Sequence, residues 1–395
     1  MMVRRKVWPL VVLACAGLLQ AQRPPVEEAW DLLAKGDGAR AAQVLDRILR
    51  ADPRDADAHL LLGSLLMEAG KREESLAHLG EAVRLRPRSA EAQNALGEAL
   101  RQFGESRKAR EAFSQAVALD AKLAPARVNL ALMFVEAGQF SQAAPHLDRA
   151  LELLGNEQDA AFAHYLRAKI FTEEGTVEKA AAHLAQAVKL QPDFSEAWSD
   201  LGQARKTLLD DAGALAALER AVSLNPEGAV ARYRLGAEYL RQGQAHRALP
   251  HLQKALQLNP QSQSTLYSLQ MALREDGQPE QAEQVKRRLA ELLRKRDQAS
   301  QRGLQAIQLN NQGAQLEKSG NLRGALEKYQ AALELDPNHV GIRVNVAAAL
   351  LRLGDWPRGI AELRESLRRD PENATVRSAL ERALAQAPPG TVPHP

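Results

Sequence analysis

Residues 183–202 read HLAQAVKLQPDFSEAWSDLG, and the phrase returns as HLQKALQLNP at 251–260, YQAALELDP at 329–337 and HLGEAVRLRP at 78–87. Aligning the chain on the closing proline places Pro53 and Pro87, then Pro192, Pro226 and Pro260, then Pro337 and Pro371, with neighbours in each group 34 residues apart. Ala121 and Gly155 hold the same register between the first two groups. Ten units follow: 22–55, 56–89, 90–123, 124–157, 161–194, 195–228, 229–262, 263–296, 306–339 and 340–373. A fixed period of this length means one supersecondary element, stacked on copies of itself.

Each unit reads as two helices. In 56–89, Leu62, Leu65 and Leu66 make one apolar stripe, and Leu76, Leu79, Val83 and Leu85 make a second at helical spacing. Gly70 supplies the turn between them, and Pro87 stops the second helix because its ring and missing N–H cannot continue the ladder. Position 8 of the unit is Gly63, Gly97, Gly202, Gly236 or Gly313, with alanine in four other units. Position 20 is small in all ten, from Ala41 and Ser75 to Gly359. Glycine inside a helix costs about 0.5–1 kcal/mol relative to alanine. Its recurrence at one register predicts close crossings between the helices of a hairpin and its neighbour.

Small residues at 8, 20 and 27 with proline at 32 of a 34-residue helix pair resemble the tetratricopeptide repeat, and Trp198-x-x-Leu201-Gly202 matches that family's opening phrase. The similarity runs over 22–373. It implies an all-α, right-handed solenoid of about ten helix pairs, whose first helices line a concave groove that takes a peptide or protein partner. The eighth unit departs from the pattern, with Gln270 at position 8, Leu289 at 27 and Arg294 at 32. Residues 282 to about 302 therefore read as one extended helix. On that basis 22–296 is a block of eight repeats, 297–305 a helical linker and 306–373 two further repeats. Residues 374–387 form a capping helix, and the proline-rich 388–395 a disordered tail. The basic cluster at 286–296 reads as a solvated helix face.

The N-terminal residues stand apart. Arg4, Arg5 and Lys6 precede an apolar run from Val7 to Leu19, and Leu19-Gln20-Ala21 suits cleavage. About thirteen apolar residues are too few to span a bilayer but suit a secretory segment, so 1–21 is expected to be an export signal. The sole cysteine, Cys15, ends the phrase Val12-Leu13-Ala14-Cys15, which loosely resembles a lipobox and marks a second expectation, lipidation. With the Ala- and Arg-rich composition, the leader points to a bacterial envelope, periplasmic or secreted. Without the three basic leader residues the chain carries 49 basic against 49 acidic residues. That balance gives no electrostatic footprint for nucleic acid.

No nucleotide-loop, zinc-protease or nucleophile-elbow motif occurs, and no cysteine lies outside the leader. No enzyme, cofactor or metal centre is expected. His78, His146, His183 and His251 share position 23. Equivalent positions of stacked pairs lie at least about 8–10 Å apart, too far for one metal, so these rings are expected to pack between second helices. By the family resemblance, groove residues fall at positions 2, 5, 6, 9, 12 and 13. The candidates are Asn129, Asn311 and Asn345 at position 6 and Tyr165, Tyr233 and Tyr267 at position 5, with Lys169, Lys206, Arg241 and Arg274 beside them. The asparagines would address a peptide backbone, and the Tyr, Lys and Arg side chains an acidic or carboxylate-ended peptide. The chaperone-tail clamp of some relatives, Lys at 2 with Asn at 6, is absent, since Pro125, Ile307 and Gly341 take position 2.

Overall fold

The structure is a computed structural model that describes residues 24–155, 157–371, 373–388 and 391. The expected leader with Cys15 and most of the expected tail lie outside these residues. Helices are the only regular elements among the described residues, and they pair as the repeat predicts. The first pairs are α1 (Pro24–Ala34) with α2 (Gly38–Ala51), α3 (Ala56–Glu68) with α4 (Arg72–Leu85), and α5 (Ala90–Gln102) with α6 (Ser106–Leu119). Next come α7 (Ala124–Glu136) with α8 (Phe140–Leu154), α9 (Ala160–Glu173) with α10 (Val177–Leu190), α11 (Ser195–Thr207) with α12 (Asp211–Leu224), and α13 (Ala229–Arg241) with α14 (Ala245–Leu258). Then follow α15 (Gln263–Glu275), the 40-residue α16 (Pro279–Lys318), α17 (Leu322–Leu335), α18 (Val340–Arg352), α19 (Trp356–Arg369) and α20 (Ala374–Gln386).

Local chemistry sets the boundaries. The last residue of a unit caps the next helix: the Asp55 carboxylate accepts from the backbone N–H of Asp57 and Ala58, and Ser89 and Asn373 do the same for Ala92 and Val376. Between the two helices of a pair the chain turns through a left-handed residue, as at Gly70 with φ +73°. In the sixth pair that left-handed place is taken by a leucine, Leu209, at φ +61°. A third device ties five first helices and the final α20 to the turn before them. His59, Arg127, Trp198, Arg232, Arg343 and Arg377, all at position 4, donate to the carbonyl oxygen six residues upstream.

The small residues act inside each pair. A Cβ built on Gly63, Gly202 or Gly236 would lie 2.6 Å from Cγ of Leu79, Leu218 or Leu252, the residue at position 24 of the same unit. Gly97 and Gly313 face aromatic rings, Phe113 and Tyr329, at the same 2.6 Å. Position 20 is equally closed: Ala41, Ala109, Ala143, Ala180 and Ala214 have no exposed surface, and Ser75 donates its hydroxyl to the Gly63 carbonyl. The close crossing expected with a neighbouring hairpin is thus primarily within the hairpin itself. The eighth pair lacks it, having Gln270 and Lys286 at positions 8 and 24.

The chain forms two compact units, the first ending at Pro260 and the second starting at Gln261. The division falls one pair earlier than the 296 boundary read from sequence. The reason is α16, which packs on α15 at its start and on α17 at its end and so binds the eighth pair to the ninth. Residues 297–305 lie inside this uninterrupted helix. In the second unit α20 buries Val376 and Ala383 against Ile360 and Leu363 and closes the last pair. No described helix is long and apolar enough to cross a membrane.

Candidate functional site

Within the first unit, the first helices of successive pairs touch one another, α3 on α5, α5 on α7, α7 on α9 and α11 on α13. That contact gathers positions 5, 6 and 9 of neighbouring pairs into one face. The side chains there are joined by hydrogen bonds running back along the stack. Asn129 on α7 donates through Nδ2 to Asn94 Oδ1 at 3.0 Å and to Glu98 Oε1 at 2.9 Å, while Asn94 donates to the same Glu98 oxygen at 3.0 Å. Arg234 on α13 donates to Ser199 Oγ at 2.8 Å and Asp200 Oδ1 at 2.6 Å. In both cases position 6 reaches position 5 of the preceding pair.

The second unit repeats this step once, Asn345 on α18 donating to Asn310 Oδ1 on α16 at 2.8 Å. The expected Asn311 is exposed beside it, and its neighbour Asn310 makes the bond. Asn129 commits both amide hydrogens internally and leaves its oxygen for a ligand. Asn345 retains one N–H and its oxygen.

Burial pushes the Glu98 carboxyl upward, against the opposing pull of the Asn129 and Asn94 amides. Glu238 on α13 goes the other way. Its side chain is fully enclosed, and the Arg241 guanidinium, 2.5 Å away, holds it below the usual carboxylate range, helped by the Gln242 amide at 2.8 Å. Arg241 also pairs with Asp211 on α12. The expected groove residue Arg241 thus bridges two carboxylates of the fold while staying partly exposed.

Tyr165 on α9 is half-buried, with its ring 4.9 Å from that of Phe194 and 6.2 Å from that of Phe162. It fills space between the fifth and sixth pairs. The exposed Lys169 holds its ammonium 5.6 Å from the Tyr165 ring centroid. Tyr233 on α13 is half-buried, and so is Lys206 on α11, whose charge helps hold the Glu238 carboxyl down. Tyr267, with 58 % of its surface exposed, and Arg274, also exposed, both stand on α15 in the second unit. The first unit alone therefore gathers Asn129, Lys169, Lys206 and Tyr233 as accessible groups on its first helices.

The position-23 histidines do not pack between second helices. Their rings turn onto the first helix of their own pair, because position 23 faces positions 4 and 11. His146 stacks on Phe134 at 5.9 Å and His251 on Tyr239 at 5.7 Å, while His78 and His183 meet His59 and His164. The sequence reading missed these two partners, whose signal is a histidine 19 residues upstream of another in both units. Among the described residues no group of three or more His, Cys, Asp or Glu could surround a metal ion. Two surface clefts of about 390 and 370 Å³ are small and polar, one beside Lys295, Arg302 and Asp336, the other beside Arg54, Asp57 and Arg86.

Profiles of the tetratricopeptide repeat match residues 32–99, 90–123, 128–193, 173–229, 229–262 and 316–388. No curated protein gives a match. Among solved structures, PilF of Pseudomonas aeruginosa is similar at 17 % identity over 54 % of this chain and 97 % of its own, with a TM-score of 0.50. YrrB, described as a TPR protein with an unusual peptide-binding site, is 22 % identical over 48 % of this chain and 96 % of its own, with a TM-score of 0.39. MamA is 24 % identical over 42 % of this chain and 94 % of its own, with a TM-score of 0.36. At these identities the likeness is one of fold.

Proposed function

Since the chain belongs to the tetratricopeptide repeat family, a family of protein-interaction scaffolds, we propose that it is a non-catalytic scaffold holding an extended peptide along the first helices of its N-terminal unit. The observation that carries this reading is the polar ladder across adjacent first helices, which holds Asn129 and Asp200 in fixed orientations. Its remaining acceptor, the Asn129 oxygen, suits a peptide N–H. Lys169 and Lys206 favour acidic side chains or a terminal carboxylate on the ligand, and Tyr233 offers a flat, amphipathic anchor. The balanced charge of the chain supports a protein ligand over nucleic acid.

A photo-crosslinking residue at Tyr233, introduced in cells, tests the face directly. It is expected to capture a partner, whereas the same probe at the exposed Arg220 on second helix α12 is not. Capture from Arg220 alone would overturn the assignment.

We place the protein in a bacterial cell envelope on the strength of its basic and apolar residues 4–19. Cys15 supports a second reading, a lipid-anchored assembly factor for an outer-membrane pilus or secretion machine. Labelling with a fatty-acid analogue separates the two. Label lost in C15S establishes the anchor, and absence of label from the unaltered chain removes it.

A further inference from the structure

Two imidazole pairs stand apart from the face described above. His59 on α3 and His78 on α4 bring their Nδ1 atoms to 2.9 Å, and His164 on α9 and His183 on α10 bring theirs to 2.8 Å. All four rings are half-buried and within reach of solvent. The first pair has a fixed tautomer at one end. Nε2 of His59 lies 3.1 Å from the carbonyl oxygen of Pro53, which can only accept, so Nε2 carries the proton and Nδ1 aims a bare lone pair at His78. A backbone carbonyl on the far nitrogen is the arrangement that orients metal-binding histidines.

The 2.9 Å separation is that of an N–H···N hydrogen bond in the metal-free pair, and removal of its one proton frees both Nδ1 lone pairs for a single ion. Imidazole donors suit copper(II), nickel(II) and zinc(II), and copper(II) stands highest in affinity among them.

The surroundings of the two pairs differ in sign. Asp46, and Glu74 although Lys71 engages it at 3.2 Å, act on His78 so as to favour positive charge there, and Glu81, itself paired with Arg84 and near Arg54, acts on His59. Around His183 the strongest charge effect comes from the Arg167 guanidinium, which lies 4.1 Å from the centroid of a Phe171 ring 5.3 Å from that of His183. Lys179 lies over the same ring at 5.5 Å, and Asp148 is engaged by Arg167 at 2.7 Å. Cations repel a metal from the second pair, and carboxylates attract it to the first.

We propose that His59 and His78 form a cis bis-imidazole chelate for a divalent transition metal, copper(II) in first place, with water completing the coordination shell. The metal accepts a lone pair from each Nδ1. The proton that His78 Nδ1 holds in the free pair moves through solvent to its Nε2, so at neutral pH no net proton is released. With two protein donors the ion is exchangeable, and it staples α3 to α4.

Titration of the full-length protein, purified without an affinity tag, tests the site. One equivalent of copper(II) should give an electron paramagnetic resonance spectrum with nitrogen splitting from two imidazoles. H59Q and H78Q should each weaken copper binding at least tenfold, H183Q should leave it unchanged, and zinc(II) should bind at least tenfold more weakly. Copper binding that survives in H59Q/H78Q, or that is lost in H183Q, overturns the proposal. Circular dichroism of each metal-free variant checks folding, and should one fail to fold, the spectrum of the unaltered protein decides alone, since fewer than two coordinated imidazoles is incompatible with the chelate.

Discussion

Gly313 and Gly236 hold the same register, yet a single added methyl group should affect them differently. At Gly313 the new Cβ would meet the Tyr329 ring at 2.6 Å, and that ring is almost wholly buried and tethered through its hydroxyl to Glu317 at 2.7 Å. At Gly236 it would meet Leu252, and the pairs carrying Ala131 with Leu147 or Ala168 with Leu184 accommodate that combination naturally. Gly313→Ala is expected to lose about 1–3 kcal/mol to overpacking. Gly236→Ala should stay within about 1 kcal/mol of the parent, because the gain in helix propensity offsets much of the strain. Urea titration of both variants measures the contrast. Leu209 offers the reverse case. A left-handed conformation costs a residue with a side chain about 1–2 kcal/mol, so Leu209→Gly should stabilise by roughly 0.5–1 kcal/mol after glycine's extra freedom in the unfolded chain is set against it. A fall in melting temperature would show that this leucine, 85 % exposed, makes a contact of its own. Small residues were legible in the sequence because one position tells its own story. The aromatic or leucine opposite each glycine was not, since that pairing depends on how two helices cross.

At the scale of the helix pair, the half-buried histidines make stability depend on pH. His164 is held down to about 4, first by burial and then by the proximity of His183, and His78, His146, His183 and His251 are all lowered from 6.5, chiefly by burial. A histidine whose folded value is depressed costs nothing while neutral. The unfolded chain binds its proton from about pH 6.5 downward, so stability is kept above that value and lost as pH falls toward 4. The depressed carboxylates Glu105 and Glu238 keep their stabilising contribution above their ordinary 4.5 and lose it only below that value. Burial raises Glu98 and Asp159, which favour the folded state as pH falls and so oppose this trend. Five depressed imidazoles outnumber these two carboxyls, so the net change between pH 6.5 and 4.5 should follow the imidazoles. Thermal melts across that window are expected to fall in the parent and to fall less steeply in H164Q, and an unchanged slope in H164Q would refute the assignment. The long α16 was legible in part. Polar Gln270 and Lys286 replace the small–large contact, and no proline closes the eighth unit, so continuation past 296 could be read directly. Its extension to Lys318 could not, because the first helix of the ninth pair simply follows in phase with no breaker between.

For the molecule as a whole, each repeat touches only its neighbours, and stability is close to a sum of local terms. The stretch 294–302 of α16 is exposed throughout and is held mainly by its own backbone ladder. Ser300→Pro should remove an intrahelical hydrogen bond and cost about 3 kcal/mol locally. Hydrogen exchange is expected to quicken in peptides from 279–335 while those from 24–260 keep their protection. Loss of protection throughout would mean that the two compact units unfold as one. Period, pairing and cap were legible at this scale because every unit repeats the message. The division at Pro260 was not, because it depends on which neighbours a continuous helix engages.

The bond from position 4 to the carbonyl six residues back has an evolutionary corollary. Arginine, histidine and tryptophan all serve as its donor, and the acceptor belongs to the main chain, so the joint accepts any of three side chains at one position and asks nothing of the residue it bonds. Duplicating a 34-residue block that carries such a donor would recreate the same joint at the new boundary. Such a chain can lengthen by whole modules while the identities along its ligand face drift independently.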